Sequence, residues 1–296
     1  MVTKVLRAMS LIEEIGVAPG SPAIEVDGVR LAYSREGRGP AVVCLHAIGH
    51  GGRDFDAFTR AVRDQFELIR IDWPGQGRSG PDARSPSAAR YAELLAGVIA
   101  HLKIERPIIV GNSIGGAAAM IYASSRPVAA LVLCDTGGLI EVTPEIARAC
   151  SALSRFFAAG ARKAWWFKPA FWAYYRFLVL PSSPAREQRK RIIAAGYEIA
   201  PVLRDAWTSF GDNKADLREL AEGLEVPVWF AWATGDRIIR LKACLPAIET
   251  MKNARLTKFG GGHAPFLERP KPFAKAFRAF AQSLADNAEA RSERGR

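Results

Sequence analysis

The chain is poor in the residues that build covalent or metal frameworks: its 296 residues include four cysteines and four histidines. The cysteines have neither paired nor metal-ligand spacing, which argues against a disulfide scaffold or a zinc module. Cys44 and Cys134 fall inside apolar runs, and Cys150 and Cys244 in helical stretches, so all four read as small packing residues of a reducing compartment. No apolar run is long enough to span a bilayer. Met1 to Gly20 carries Glu13 and Glu14 where a signal peptide would keep an uninterrupted apolar core. These absences predict a cytoplasmic protein with no stable membrane insertion. Internal repeats and nucleic-acid motifs are also lacking. The net charge of +11 comes from lysines and arginines spread along the chain, with short clusters at 186–191 and 291–296. It reads as a solvated basic surface, with attraction of an anionic substrate as the second reading and no nucleic-acid partner.

What the chain does contain is enough apolar material for a sizeable core, 49% of its residues, and one sharply defined motif. Residues 108–116 read I-I-V-G-N-S-I-G-G, a β-branched run that breaks into Gly-x-Ser-x-Gly and then into the small, helix-forming stretch 117–122. A buried strand, a tight turn and a helix in that order form a nucleophile elbow, which holds Ser113 strained and exposed to a substrate.

A serine hydroxyl needs a base, and the base needs an acid to orient it. Of the four histidines, His101 lies in a periodic helix. His263 sits on the glycine-rich loop F-G-G-G-H-A-P-F-L-E-R-P just after an apolar run, where a side chain can be aimed freely. The run V-P-V-W-F-A-W-A ends in Thr234-Gly235-Asp236, which makes Asp236 the expected acid; Asp135, at the end of the run 128–134, is its competitor. An oxyanion needs two backbone donors. Ile114 follows the nucleophile, and Ile48 lies in the loop H-A-I-G-H-G-G after the run 41–45. His46, opening that loop, is expected to brace it, and together with Asn112 it is also a candidate for substrate binding.

From Ala23 onward, strand-like and helix-like segments alternate. Strands are expected at 23–26, 29–34, 41–45, 67–71, 108–110, 128–134, 228–233 and 255–259. Helices are expected at 55–62, 88–102, 242–251 and 272 to about 285, followed by a frayed tail. Such alternation predicts an α/β fold with a mostly parallel, doubly wound sheet and its site at the strand C-termini. The segment 137–213 interrupts the alternation and is rich in large aromatics, Trp165, Trp166 and Phe171 among them. It is expected to form a helical lid over a core of 1–136 and 214–296, and those three side chains are candidate substrate contacts.

Together these pieces resemble the α/β-hydrolases of the lidded, small-molecule type. The likeness rests on His-x-x-Gly at 46–49, I-D-W-P-G-Q-G-R-S at 71–79, G-N-S-I-G-G at 111–116, G-D at 235–236 and G-G-H-A-P-F-L-E-R-P at 261–270. One departure is Ala47, where the family usually has glycine. The resemblance implies a serine hydrolase with a Ser113, Asp236, His263 triad that acts on a small-molecule ester, thioester or lactone. No cofactor or metal is expected, and a homodimer stays open. Meta-cleavage-product carbon-carbon hydrolases are also similar, although Ala264 stands where they tend to place tryptophan. Cofactor-independent oxygenases or lyases using His263 as a base, and a ligand-binding receptor, are the remaining alternatives. Aspartate-nucleophile dehalogenases and epoxide hydrolases are disfavoured by the serine at 113.

Overall fold

The computed structural model describes residues 22–294, with side chains described as far as 287. The expectations for Met1 to Gly20 therefore lie outside the described residues. Eight strands form one sheet in the order β1-β2-β4-β3-β5-β6-β7-β8. They are β1 (Ala23–Val26), β2 (Val29–Gly37), β3 (Ala41–Leu45), β4 (Glu67–Ile71), β5 (Ile108–Asn112), β6 (Ala130–Cys134), β7 (Val228–Ala233) and β8 (Ala254–Phe259). β1 and β2 form a hairpin, and β2 pairs antiparallel with β4. Every later pairing is parallel. β5, β6 and β7 are buried along their whole length, which is why they read as continuous apolar runs and do not alternate.

After β3 the chain steps to one side to form β4, then crosses back to lay β5 on the other side of β3. The loops after β3 and β5 therefore diverge from neighbouring strands, and such a switch point opens a crevice at the carboxyl ends. Leu45 is in register with Gly111, so Ile48 and Ser113 leave the sheet side by side. The core helices are α1 (Asp56–Val62), α2 (Ala88–His101) and α3 (Ile114–Ala123). Ser87 caps α2 by accepting a hydrogen bond from the Arg90 N–H at 3.1 Å.

Between β6 and β7 lies a helical insertion of α4 (Pro144–Ala161), α5 (Phe167–Tyr174), a π-helical turn (Tyr175–Val179), α6 (Arg186–Ala194) and α7 (Gly196–Phe210). Thr143 and Pro144 start α4, a side-chain cap followed by proline in the first turn. α4 and α7 pack along each other. The chain returns through α8 (Arg218–Glu222), and after β7 come α9 (Leu241–Thr250), then α10 (Pro265–Glu268) and α11 (Pro270–Arg294). α11 is a correction: the expected helix stopped near residue 285 with a frayed tail, whereas it continues to Arg294. Phe273, Phe277 and Phe280 anchor its first half in the core. Among the described residues no helix is long and apolar enough to cross a membrane.

Candidate active site

Ser113 sits between β5 and α3 with φ 54° and ψ −119°. This is backbone that a non-glycine residue adopts at a cost of about 1–3 kcal/mol and only when its surroundings enforce it. The surroundings do so through hydrogen bonds from Ser113 N to Cys134 O at 3.1 Å and from Gly137 N to Ser113 O at 3.1 Å. The flanking glycines serve close approach, because the left-handed residue is the serine itself. A Cβ on Gly111 would lie 2.5 Å from Gly115 O, and one on Gly115 would lie 2.5 Å from Leu45 O. Ser113 is 7% exposed, and among the described residues its hydroxyl makes no hydrogen bond.

His263 and Asp236 leave the ends of neighbouring parallel strands β8 and β7. Their loops are tied by Thr234 N to Phe259 O at 2.8 Å and Gly235 N to Gly261 O at 3.1 Å. Across this joint His263 Nδ1 lies 2.8 Å from Asp236 Oδ2. The other carboxylate oxygen accepts from the N–H groups of Ile238 at 2.7 Å and Ile239 at 3.1 Å, so the acid is fixed in orientation. The competitor, Asp135, lies behind it: its Oδ1 accepts from Ala233 N at 2.9 Å, and its Oδ2 is buried without a partner. Burial first, and the charge of Asp236 second, hold the Asp135 carboxyl well above the usual carboxylate range. Asp135 is thus a neighbour of Asp236 that burial biases toward its protonated form.

The loop after β3 is braced by the turn 72–79. Trp73 N donates to His46 Nε2 at 2.9 Å while His46 Nδ1 meets Ala47 O at 2.7 Å, so the ring is a neutral tautomer with its proton on Nδ1. Burial pushes its pKa down. Trp73 Nε1 returns a bond to His46 O at 2.9 Å, and Gly49 N donates to Gln76 Oε1 at 2.6 Å. Within this braced loop no acceptor among the described residues takes the Ile48 N–H. The Ile114 N–H, at the first position of α3, has no intrahelical acceptor either. Further on, His50 Nδ1 lies 2.5 Å from Asp54 Oδ2.

Several candidate binding residues need correction. Both nitrogens of His46 are engaged with backbone, so it is a brace with nothing left for a ligand. Asn112 is held through its Nδ2, which donates to Cys134 O and His263 O, each at 2.9 Å, while its buried Oδ1 has no partner among the described residues. Trp165 is 86% exposed and Trp166 39%; both stand on the outside of the insertion, because the core positions of α5 are taken by Phe167 and Phe171. Phe171 stacks on Phe167 and meets Tyr175 edge-on at 4.9 Å inside the insertion.

The aromatic side chains that do approach the site are Tyr174 and Tyr175, at the junction of α5 and the π-helical turn, a distortion frequent at functional sites. Burial, and to a smaller extent Asp236, raise the Tyr174 pKa. The Tyr175 hydroxyl would be 3.0 Å from a Cβ on Gly49, and its ring is 5.7 Å from that of His50. Sequence reading also passed over Glu268, fully buried. Its Oε1 accepts from Gly262 N at 2.7 Å and its Oε2 from Ser182 N at 3.0 Å. His263 N donates to Val179 O at 2.8 Å, so the base loop is bonded twice to the insertion. The glutamate in the motif 261–270 was the available signal.

The model of the alpha/beta hydrolase family matches residues 42–276. The chain belongs to the α/β hydrolase family. A pimeloyl-[acyl-carrier protein] methyl ester esterase of Xanthomonas campestris is 29% identical to this α/β hydrolase over 261 residues, covering 84% of this chain and 97% of the relative. An uncharacterized protein of Mycobacterium tuberculosis is 27% identical over 278 residues, covering 84% of this chain and 77% of the relative. A thermophilic esterase from Thermogutta terrifontis superposes with a TM-score of 0.74 at 20% identity, over 88% of this chain and 97% of the other.

Proposed function

We propose that this α/β hydrolase cleaves a carboxylic ester, thioester or lactone of a small hydrophobic substrate through an acyl-enzyme, with no cofactor. The observation that carries the reading is the 2.8 Å bond between His263 Nδ1 and Asp236 Oδ2. With Nδ1–H donated to the carboxylate, Nε2 is left as the acceptor that a serine proton requires. In the proposed reaction Ser113 Oγ attacks the carbonyl carbon and His263 takes its proton. Asp236 steadies the imidazolium, and the N–H groups of Ile48 and Ile114 receive the oxyanion. The protonated ring then gives its proton to the leaving oxygen or sulfur. A water, deprotonated by the same histidine, releases the acid. The Xanthomonas relative, named for a methyl ester, supports the ester arm. The insertion, residues 137–213, is read as a lid in which Tyr174 and Tyr175 help exclude water.

The test is labelling with a fluorophosphonate and mass mapping of the adduct, alongside hydrolysis of p-nitrophenyl esters of increasing acyl length. A stoichiometric adduct on Ser113, lost in His263→Ala, is expected. Ser113→Ala and His263→Ala should each lose several orders of magnitude in kcat. Full activity in Ser113→Ala would overturn the reading, and rates that fall steadily with acyl length would remove its hydrophobic-substrate part.

A further inference from the structure

The insertion carries an outward-facing surface that the hydrolytic reading touches only at Tyr174. Trp165 is 86% exposed, Phe177 52%, Trp172 48% and Trp166 39%. All but Trp165 are joined through ring contacts or the groove between them. Trp172 meets Phe177 edge-on at 5.8 Å, and Trp166 lies 6.0 Å from Phe156. Between Phe156 and Phe177 runs a groove of about 520 Å³, whose lining also includes Leu153, Ala170, Ala173 and Leu178. The result is one continuous apolar face, where single scattered apolar residues would need no explanation.

The charge along the stretch that carries that face has one sign. From Ile146 to Ala185 the chain has no aspartate or glutamate and carries six bases: Arg148, Arg155, Arg162, Lys163, Lys168 and Arg176. All but the half-buried Arg176 are exposed. Arg176 lies over the Phe177 ring with its guanidinium carbon 5.4 Å from the centroid, and Lys168 lies over Tyr197 at 4.9 Å. Long basic side chains laid along aromatic rings, with tryptophans standing clear of the surface, are the composition of an interfacial anchor. Tryptophan settles at the headgroup level, and lysine and arginine snorkel to anionic lipid.

We propose that the outer face of the helical insertion is a docking surface for an anionic lipid bilayer, which adsorbs the protein at the interface without spanning it. A basic surface alone would serve any acidic partner. The four exposed aromatics and the apolar groove beside them favour lipid, because such a face is costly in water and is relieved where headgroups meet acyl chains. Adsorption is independent of Ser113, so the hydrolytic reading and this one can fail separately.

The experiment is co-sedimentation of the full chain with vesicles of phosphatidylcholine alone and of equal parts phosphatidylcholine and phosphatidylglycerol, with tryptophan emission recorded. Binding to the mixed vesicles only, with a blue shift and loss at high salt, is expected. Ser113→Ala should bind like the parent chain. Trp165→Ser with Trp172→Ser should weaken binding about tenfold or more. Lys163→Gln and Lys168→Gln should each weaken it by about fivefold. The four insertion positions are exposed, and circular dichroism checks that the variants fold. No binding to the mixed vesicles would overturn the proposal. Loss in the lysine variants with none in the tryptophan variants would also overturn it, in favour of an acidic macromolecule.

Discussion

The side chain of Asn112 donates to the main-chain oxygen of His263 at 2.9 Å, joining the residue before Ser113 to the loop that carries the imidazole. A second bond, to Cys134 O at 2.9 Å, pins the same amide to β6, so three strand ends are held in register by one side chain. Asn112→Ala should therefore misplace the imidazole without touching substrate. A fall in kcat of roughly 10 to 100-fold with little change in KM is expected from steady-state kinetics, since about 1 Å of misplacement can cost that much. A rise in KM alone would show that Asn112 contacts substrate after all.

The raised Asp135 carboxyl should make the stability of the protein depend on pH. Burial and the neighbouring Asp236 raise its folded-state pKa, while the unfolded chain releases that proton near pH 3.9. The contribution is fully present below about pH 4 and is lost as the pH climbs toward the raised folded value. Asp135→Asn mimics the neutral acid, keeping an acceptor for Ala233 N and offering an N–H toward Asp236. Thermal melts between pH 4 and pH 8 should show a smaller loss of Tm with rising pH in the variant. An unchanged slope would contradict the assignment.

Glu268→Ala would leave the N–H groups of Gly262 and Ser182 without acceptors in a buried place, at roughly 1–3 kcal/mol each. Urea unfolding should show a loss of about 3 kcal/mol. Glu268→Gln, which keeps one acceptor oxygen, should fall between. Equal stability of all three chains would mean that water reaches the site.

Gly115→Ala puts a methyl group 2.5 Å from Leu45 O and 2.8 Å from Leu45 C, both backbone, and should destabilise the fold by about 1–3 kcal/mol while disordering the elbow. Gly80→Ala, whose Cβ meets Arg30 Cβ at an ordinary 3.5 Å, is the tolerated control. Comparable melting temperatures for the two would count against the close-packing account.

Much of this was legible in the sequence because it is written in local patterns. Apolar runs marked β3, β5 and β7, and the strand ends located Ser113, Asp236 and His263. What stayed hidden depends on residues distant in the chain. His46 and Asn112 look like ligands until the backbone groups they satisfy, in the turn 72–79, on β6 and in the His263 loop, come into view. Glu268 reads as a surface charge until Ser182 and Gly262 are found against it. The tryptophans of the insertion read as a substrate wall because aromatic content says nothing about which face of α5 turns outward; Phe171, from the same list, turned inward.

The base does not belong to the core alone. Through His263 N to Val179 O at 2.8 Å and Ser182 N to Glu268 Oε2 at 3.0 Å, the loop bearing the imidazole is moored to the roof above it. Under the proposed mechanism, a swing of the insertion wide enough to let a molecule in or out would strain those moorings and carry the imidazole with it, so loading and chemistry would fall at different moments of the cycle.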